Sequence, residues 1–284
     1  MKVLVTGAGG FVGRHVIPAL VGRGHEVVAL SFRELGTRER SWLHDVEFIS
    51  HDILSDALPP RATRGVEAVI HLAWPDVRSY GSLSHFEVYL PAAYRFLKSL
   101  IQSGIQRVQV AGTCFEYGLR NGELAEDMPA EPANPYALGK DALRRFLLAL
   151  NREMPFTLQW VRVFYIYGAG QSPDSLLGTL DKAIERGDSS FDMSAGDQLR
   201  DYIRVEEAAR RMTLLLESAE SGIFNCCSGN PISVRNLVER HIAKCGASIR
   251  LNLGRYPYSP YEPFAFWGSV AKTTSLFGGP PTLD

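Results

Sequence analysis

Near its start the chain runs Val3-Leu-Val-Thr-Gly-Ala-Gly-Gly-Phe-Val-Gly13, an apolar run of strand length followed at once by Gly7, Gly10 and Gly13 at three-residue intervals. No other stretch limits the fold as tightly. A glycine turn between a buried strand and a helix lets the backbone reverse sharply, admits a pyrophosphate to the main chain, and lets the helix pack close to the strand. The helix N-terminus then aims N–H groups and partial positive charge at phosphate. Glycine turns before helices are common, so this one takes its meaning from the pattern of the chain beyond it.

That pattern is alternation. Hydrophobic patterning predicts strands over 2–6, 26–31, 46–50, 68–73, 107–113 and 156–164. Helices are predicted over 11–23, 84–103 and from Pro135, where proline suits a first helical turn, to about Asn151. Repeated βαβ units imply an α/β fold, a doubly wound parallel Rossmann sheet covered on both faces. Later the pattern loosens: helices over 173–187, 205–218 and 233–246, extended segments over 200–205 and 222–227, and a tail from Tyr256 that reads as loop. The expected organisation is a dinucleotide-binding domain over 1–165, to which later segments return, and a smaller interleaved substrate domain over 166–284.

With 284 residues, 45% of them hydrophobic, the chain can bury a substantial core. A net charge of −1 without a basic block argues against nucleic acid as partner. The apolar runs are too short and too often interrupted to cross a membrane, and Met1-Lys2 leads straight into a strand without a signal-peptide pattern. Cys114, Cys226, Cys227 and Cys245 form no CxxC pair, so a reducing cytoplasmic setting is expected, with no disulfide framework and no metal site.

Chemistry enters with Tyr136-Ala-Leu-Gly-Lys140, which puts a phenol and an ammonium one helical turn apart on one face. A phenol near pKa 10 is a poor acid at neutral pH, and a neighbouring cation that stabilises the phenolate makes proton transfer feasible. The same ammonium can bond the ribose of a nicotinamide cofactor. Tyr and Lys at this spacing also occur on ordinary helix surfaces. Thr113, however, closes the strand over 107–113 at the sheet edge where α/β proteins bind ligands, and its hydroxyl can hold the oxygen that Tyr136 protonates.

On these residues the chain resembles the extended short-chain dehydrogenase/reductase family of sugar-nucleotide epimerases, dehydratases and ketoreductases. The matching stretches are Thr6-Gly-Ala-Gly-Gly-Phe-Val-Gly13, His71-Leu-Ala73, Thr113 with Tyr117-Gly118, Tyr136 to Lys140, Arg162-Val-Phe-Tyr-Ile-Tyr-Gly168, Arg200-Asp-Tyr-Ile-Arg-Val205, and Phe224-Asn225 with Ser228-Gly229. The resemblance implies a Rossmann domain, a smaller domain gripping a nucleotide-diphosphate sugar, and Thr113, Tyr136 and Lys140 as catalytic set. It implies cofactor contacts at Gly7, Gly10, Phe11, Val12, Gly13, Ser31, Arg33, Asp52, Ile53, Leu72, Ala73, Tyr136, Lys140 and Phe164, and substrate contacts at Thr113, Tyr165 and Arg200. His71 either lines the cofactor or is a core histidine. A homodimer through the helices over 84–103 and 135–151 is expected, with Leu97, Leu100, Phe146 and Leu150 facing either that contact or the core.

Two features refine the expectation. The second strand ends Ala29-Leu-Ser-Phe-Arg33, with serine where NAD-specific relatives carry an acid, and Arg33, Arg38 and Arg40 stand near enough in sequence to pair with a 2′-phosphate. NADPH is therefore the expected cofactor. Family dehydratases carry Asp-Glu directly after the catalytic Thr, where this chain has Cys114 and Phe115, with Glu116 one place further on; dehydration is disfavoured. Tyr89 and Tyr165 stand where asparagine is frequent. The runs 111–118 and 197–201 look most like ketoreductases acting on 4-keto-6-deoxyhexose nucleotides. The expected reaction is reduction at C4 in deoxysugar biosynthesis, with an NAD-dependent epimerase as the alternative and an inactive regulatory protein as the third reading.

Overall fold

The computed structural model describes residues 1–32, 46–54, 58–260 and 262–279. In chain order its strands are β1 (Lys2–Thr6), β2 (Glu26–Ser31), β3 (Glu47–Ser50), β4 (Ala68–His71), β5 (Arg107–Thr113), β6 (Gly122–Leu124) and β7 (Thr157–Val163). Then come β8 (Tyr165–Tyr167), β9 (Ser190–Asp192), β10 (Leu199–Arg204), β11 (Gly222–Cys226), β12 (Pro231–Ser233), β13 (Arg250–Asn252) and β14 (Phe266–Gly268). The helices are α1 (Gly13–Val21), α2 (Leu90–Gln102), α3 (Pro135–Glu153), α4 (Leu176–Glu185), α5 (Val205–Glu217), α6 (Val234–Cys245) and α7 (Ala271–Phe277).

Seven strands form one parallel sheet in the order β11-β7-β5-β4-β1-β2-β3. This is the expected Rossmann arrangement, with its reversal of strand order between β1 and β4. Side chains alternate across the sheet. Leu4, Val28, Val69, Val108 and Leu158 face one way into a core closed by α2 and α3. Val3, Val5, Val27, Ala68 and Phe224 face the other way, against α1 and α5. Burial on both faces explains why these strands read as continuous apolar runs. Two glutamines at the sheet centre tie α5 down: Gln109 bonds Gln159 and the Met212 carbonyl, and Gln159 bonds the Leu215 carbonyl.

A separate C-terminal region holds the three-stranded sheet β12-β10-β8 and the pair β13-β9, around a third core that includes Leu177, Leu180, Tyr202 and Leu237. β11, α5 and α7 return to the main sheet and its core. None of the helices among the described residues is long and apolar enough to cross a membrane.

Two sequence expectations change, and one open choice is resolved. The helix expected over 84–103 is divided, with a π-helical turn at His85–Tyr89 before α2. Pro91 has no N–H for the Glu87 carbonyl, and the Leu90 N–H reaches back five residues to His85 instead. The tail expected to be loop contributes β14 and α7, because Phe266 and Phe277 are needed in the core. Leu97, Leu100 and Leu150 belong to the core under the sheet, whereas Phe146 is exposed with Tyr94 edge-on at 5.5 Å.

The glycine turn is as crowded as its sequence requires. A Cβ on Gly13 would lie 2.4 Å from the Gly7 carbonyl oxygen, and one on Gly7, whose φ is +69°, would lie 2.9 Å from the Ala73 nitrogen. Gly13→Ala is therefore expected to cost about 1–3 kcal/mol by overpacking. A lowered urea midpoint with an unchanged denaturant slope would register it.

Candidate active site

At the carboxyl ends of β1, β2 and β4 a cleft of about 430 Å³ opens at the strand-order reversal. Gly7, Gly10, Ser31, Asp52, Ile53, Leu72 and Ala73 all line it, joined by Trp74 and Tyr89. Phe11 and Val12 lead into α1 behind the turn, with Phe11 edge-on to His15 at 6.0 Å. Arg14 holds the turn from outside through the Gly9 and Gly10 carbonyls. Phe164 lies elsewhere: its ring packs in the core against Tyr117 and Phe266. Arg33, Arg38 and Arg40 lie outside the described residues.

Thr6 ties the floor of this cleft together. Its hydroxyl oxygen accepts the Leu72 and Ala73 N–H groups at 3.2 Å and sits 2.9 Å from His71 Nδ1. With the oxygen already accepting twice, its proton goes to Nδ1, so His71 carries its own proton on Nε2, which has no partner among the described residues. Burial pushes His71 down to about 3, and it stays neutral. It is a buried histidine of the β1–β4 junction.

Beside the cleft, Thr113, Tyr136 and Lys140 come together. Asn134 caps α3 through the Ala137 N–H at 2.9 Å, and Pro135 starts the first turn. That turn presents Tyr136 to Tyr80 and His85, with ring centroids at 5.8 and 5.2 Å. One turn on, the Lys140 ammonium donates to the Ala111 carbonyl at 2.7 Å and lies 4.2 Å from the centre of the Trp74 ring. Burial raises Tyr136, and the Thr113 hydroxyl beside it acts in the opposite sense. Burial lowers Lys140 to about 7. The expected acidification of the phenol by Lys140 is not seen in the protein alone, where burial is the largest influence on Tyr136.

The wall beyond Thr113 is aromatic and thiol. Phe115 packs between Tyr80 and Tyr165, and Tyr165 packs on Tyr202 and Phe266. Burial raises the Cys114 thiol far above its usual range, which disfavours the thiolate. The Tyr165 hydroxyl is buried and without a hydrogen-bond partner among the described residues. Arg200 is buried and engaged: Nε and Nη2 donate to Glu262 at 3.2 and 2.9 Å, and Nη1 donates to the Leu199 and Phe264 carbonyls. Tyr89 donates to Asp76 at 2.5 Å.

Sequence reasoning missed four residues: Trp74 over the lysine, Tyr80 beside the phenol, the buried Glu116, and Glu262 on Arg200. Only long-range packing reveals them, although an acid as close to Thr113 as Glu116 was a signal. Far from the cleft, donor atoms of Asp181, His241 and Cys245 lie within 4.8 Å of one another; a His241–Asp181 hydrogen bond at 2.5 Å already accounts for two of them. The four cysteines are free thiols.

Fold and site together define a dinucleotide-binding enzyme of the short-chain dehydrogenase/reductase kind. Its residues 3–227 match the NAD dependent epimerase/dehydratase family, and the chain belongs to it. It is 32% identical over 272 residues, 95% of this chain and 100% of the other, to dTDP-6-deoxy-L-talose 4-dehydrogenase (NAD(+)) from Aggregatibacter actinomycetemcomitans. It is 24% identical over 310 residues, 99% of this chain and 91% of the other, to UDP-glucose 4-epimerase from Halalkalibacterium halodurans. Among solved structures, MoeE5 in complex with UDP-glucuronic acid and NAD superposes with a TM-score of 0.84 at 27% identity, covering 100% of this chain and 95% of that one.

These relatives overturn the NADPH expectation in favour of NAD, which is named for the dehydrogenase and bound in MoeE5. The described part of the cleft accords with this. Its described lining residues include the Asp52 carboxylate and neither Lys nor Arg, so nothing among them neutralises a 2′-phosphate. A missing acid at the end of the second strand is not a phosphate site.

The buried lysine makes stability pH-dependent. Between about 7 and its ordinary value of 10.5, the unfolded chain binds a proton at Lys140 that the folded chain does not. Stability from this group is thus lost at low pH and gained as pH rises across that window, by up to ~1.4 kcal/mol per pH unit. Urea midpoints of wild type and Lys140→Met, compared from pH 7 to about 10, should show wild type gaining on the variant. A constant difference would contradict it.

Proposed function

We propose that this enzyme transfers hydride between NAD and C4 of a nucleotide-diphosphate sugar. The observation that carries the reading is the convergence of Thr113, Tyr136 and Lys140 beside a glycine-floored cleft. The Gly7–Gly13 turn would hold the pyrophosphate, Asp52 and Ile53 the adenosine end, Leu72 and Ala73 the cleft wall, and Lys140 the nicotinamide ribose. NAD supplies the hydride acceptor and a positive charge when bound. Tyr136 exchanges a proton with the C4 oxygen while Thr113 holds that oxygen in place.

The relatives favour 4-epimerisation as the net outcome, since most of those compared are 4-epimerases. The C4 hydroxyl is then oxidised to a ketone and reduced again from the opposite face, and NAD is regenerated. A second reading, a 4-dehydrogenase that releases the ketone or reduces it, rests on a specific pair of observations. The relative matched over its entire length is named as one for a 6-deoxy sugar, and the Phe115, Tyr165 and Tyr202 wall suits a methyl group at C6.

Incubation with NAD and either UDP-glucose or dTDP-6-deoxy-L-talose separates the two. Epimer formation without lasting reduced-nicotinamide absorbance marks the first, and NADH in step with ketone marks the second. Neither change on either sugar would sink the proposal. Tyr136→Phe should lower turnover by about 10²–10⁴-fold while NAD affinity changes little; a near-normal rate would show that another group carries the proton.

We further propose that two copies pair through α2 and α3, where exposed Phe146 stands beside Tyr94. Light scattering should give a dimer mass, reduced to the monomer by Phe146→Glu.

A further inference from the structure

Glu116 has no exposed surface, yet it is a carboxylate three residues after Thr113. Its Oε1 accepts the Thr113 N–H at 2.9 Å and Trp160 Nε1 at 2.9 Å, and its Oε2 accepts Trp160 Nε1 at 3.0 Å and Arg162 Nε at 2.9 Å. Every one of these partners is a donor. A protonated carboxyl would need an acceptor, and none of these groups offers one, so Glu116 is the anion, although burial works to raise it.

We propose that Glu116 is a positioning residue for the reacting set: a buried carboxylate that fixes Thr113 at the end of β5 and supplies the counter-charge for Lys140. This rests on the catalytic reading of Thr113, Tyr136 and Lys140.

The first half is geometric. Thr113 is clamped from both sides, because its N–H goes to Glu116 while its hydroxyl oxygen accepts the Phe115 N–H at 3.3 Å. The hydroxyl proton is left to face Tyr136 and a substrate oxygen. Gly112 is what admits the carboxylate: a Cβ there would stand 2.5 Å from Glu116 Oε1 and 2.3 Å from Trp160 Nε1. The carboxylate is itself held, because Arg162 lies 4.2 Å over the Tyr117 ring and Tyr117 donates to Asn225 at 2.8 Å.

The second half is electrostatic. Lys140 donates to the Ala111 carbonyl at 2.7 Å and Glu116 accepts the Thr113 N–H at 2.9 Å, so cation and carboxylate are tied to the same end of β5. Among the described residues, Glu116 is the charge that raises Lys140 against its burial. Of the other titratable groups near the ammonium, burial keeps His71 neutral, His85 accepts the Trp74 Nε1–H on Nδ1 and gives its own proton to the Ser79 carbonyl, and Tyr136 stands one turn away on the same helix. Stability alone does not call for such a group, since a buried ion pair is seldom worth more than apolar residues of similar volume. Glu116 also opposes ionisation of Tyr136. Its removal therefore moves the lysine and the phenol in the same direction.

Glu116→Gln tests this by keeping the shape and removing the charge. The pH–rate profile should move to lower pH by about 1 unit, with turnover down about 10- to 100-fold as Thr113 loosens. A structural role alone would lower stability without moving the profile. Should that variant not fold, E116V combined with R162L removes both charges together and should show the same shift. A readout independent of turnover is the pH at which wild type begins to gain stability over Lys140→Met; in the E116Q background, or in the double variant, it should fall. If these onsets and profiles stay where they are in wild type, Glu116 does not act on the site. If the onset moves while wild type turns over no nucleotide sugar, the catalytic reading fails and the electrostatic coupling stands.

Discussion

The Lys140 ammonium lies against the Ala111 carbonyl at 2.7 Å, under the Trp74 ring and away from water. Taking such a group out of water costs several kcal/mol unless charge and hydrogen bonds replace the solvent. Much of the neighbourhood follows from that constraint. His71 is kept neutral by burial, and His85, which accepts the Trp74 N–H on Nδ1 and donates from Nε2 to the Ser79 carbonyl, is neutral too, so they add no further positive charge. Glu116 provides the negative charge, and Gly112 makes room for it. Tyr136 shares the same dry setting, which explains why burial governs its ionisation.

The sheet divides its labour along the strands. The lower and middle positions are mostly apolar, as in Leu4, Val5, Val69 and Val108, with the paired Gln109 and Gln159 as exceptions. At the carboxyl ends the same strands carry Thr6, His71, Thr113 and, on β7, Arg162, all buried and polar. Such groups add little net stability and cost much when unpaired. Their pairings are correspondingly dense: Thr6 serves three partners and Glu116 three. The Nε2 of His71 and the hydroxyl of Tyr165, unpartnered among the described residues, depart from this pattern, and both lie around the site.

The sequence made the parallel sheet legible because strands buried on both faces leave long apolar runs separated by helical periodicity. The glycine turn and the Tyr136–Lys140 pair were legible for a related reason, since their geometry is local. Three-residue strands such as β6, β8 and β12 leave no periodicity to read, and β14 and α7 exist because distant core positions needed Phe266 and Phe277. Trp74 and Glu116 acquire meaning only through residues 66 and 44–46 positions away, Lys140 in one case and Trp160 and Arg162 in the other. The cofactor expectation failed differently. It weighed the charge of Arg33 by sequence distance, and the NAD of the relatives overturned it; among the described residues Asp52, beyond the next strand's end, lines the cleft.

Arg200 shows how far the environment of a residue can differ from the one its sequence position suggests. A guanidinium offers five N–H donors in a planar fork, and Glu262 with the Leu199 and Phe264 carbonyls accounts for four contacts from it. Buried without a counter-ion, such a cation would destabilise the fold, so the carboxylate satisfies it in the protein alone. Any anion that takes the same fork must do so in competition with Glu262. The affinity measured for such an anion is then a difference between two carboxylate- or phosphate-like partners rather than the full strength of one. A buried guanidinium is thus satisfied by a segment that, read in sequence, looked only like a loop.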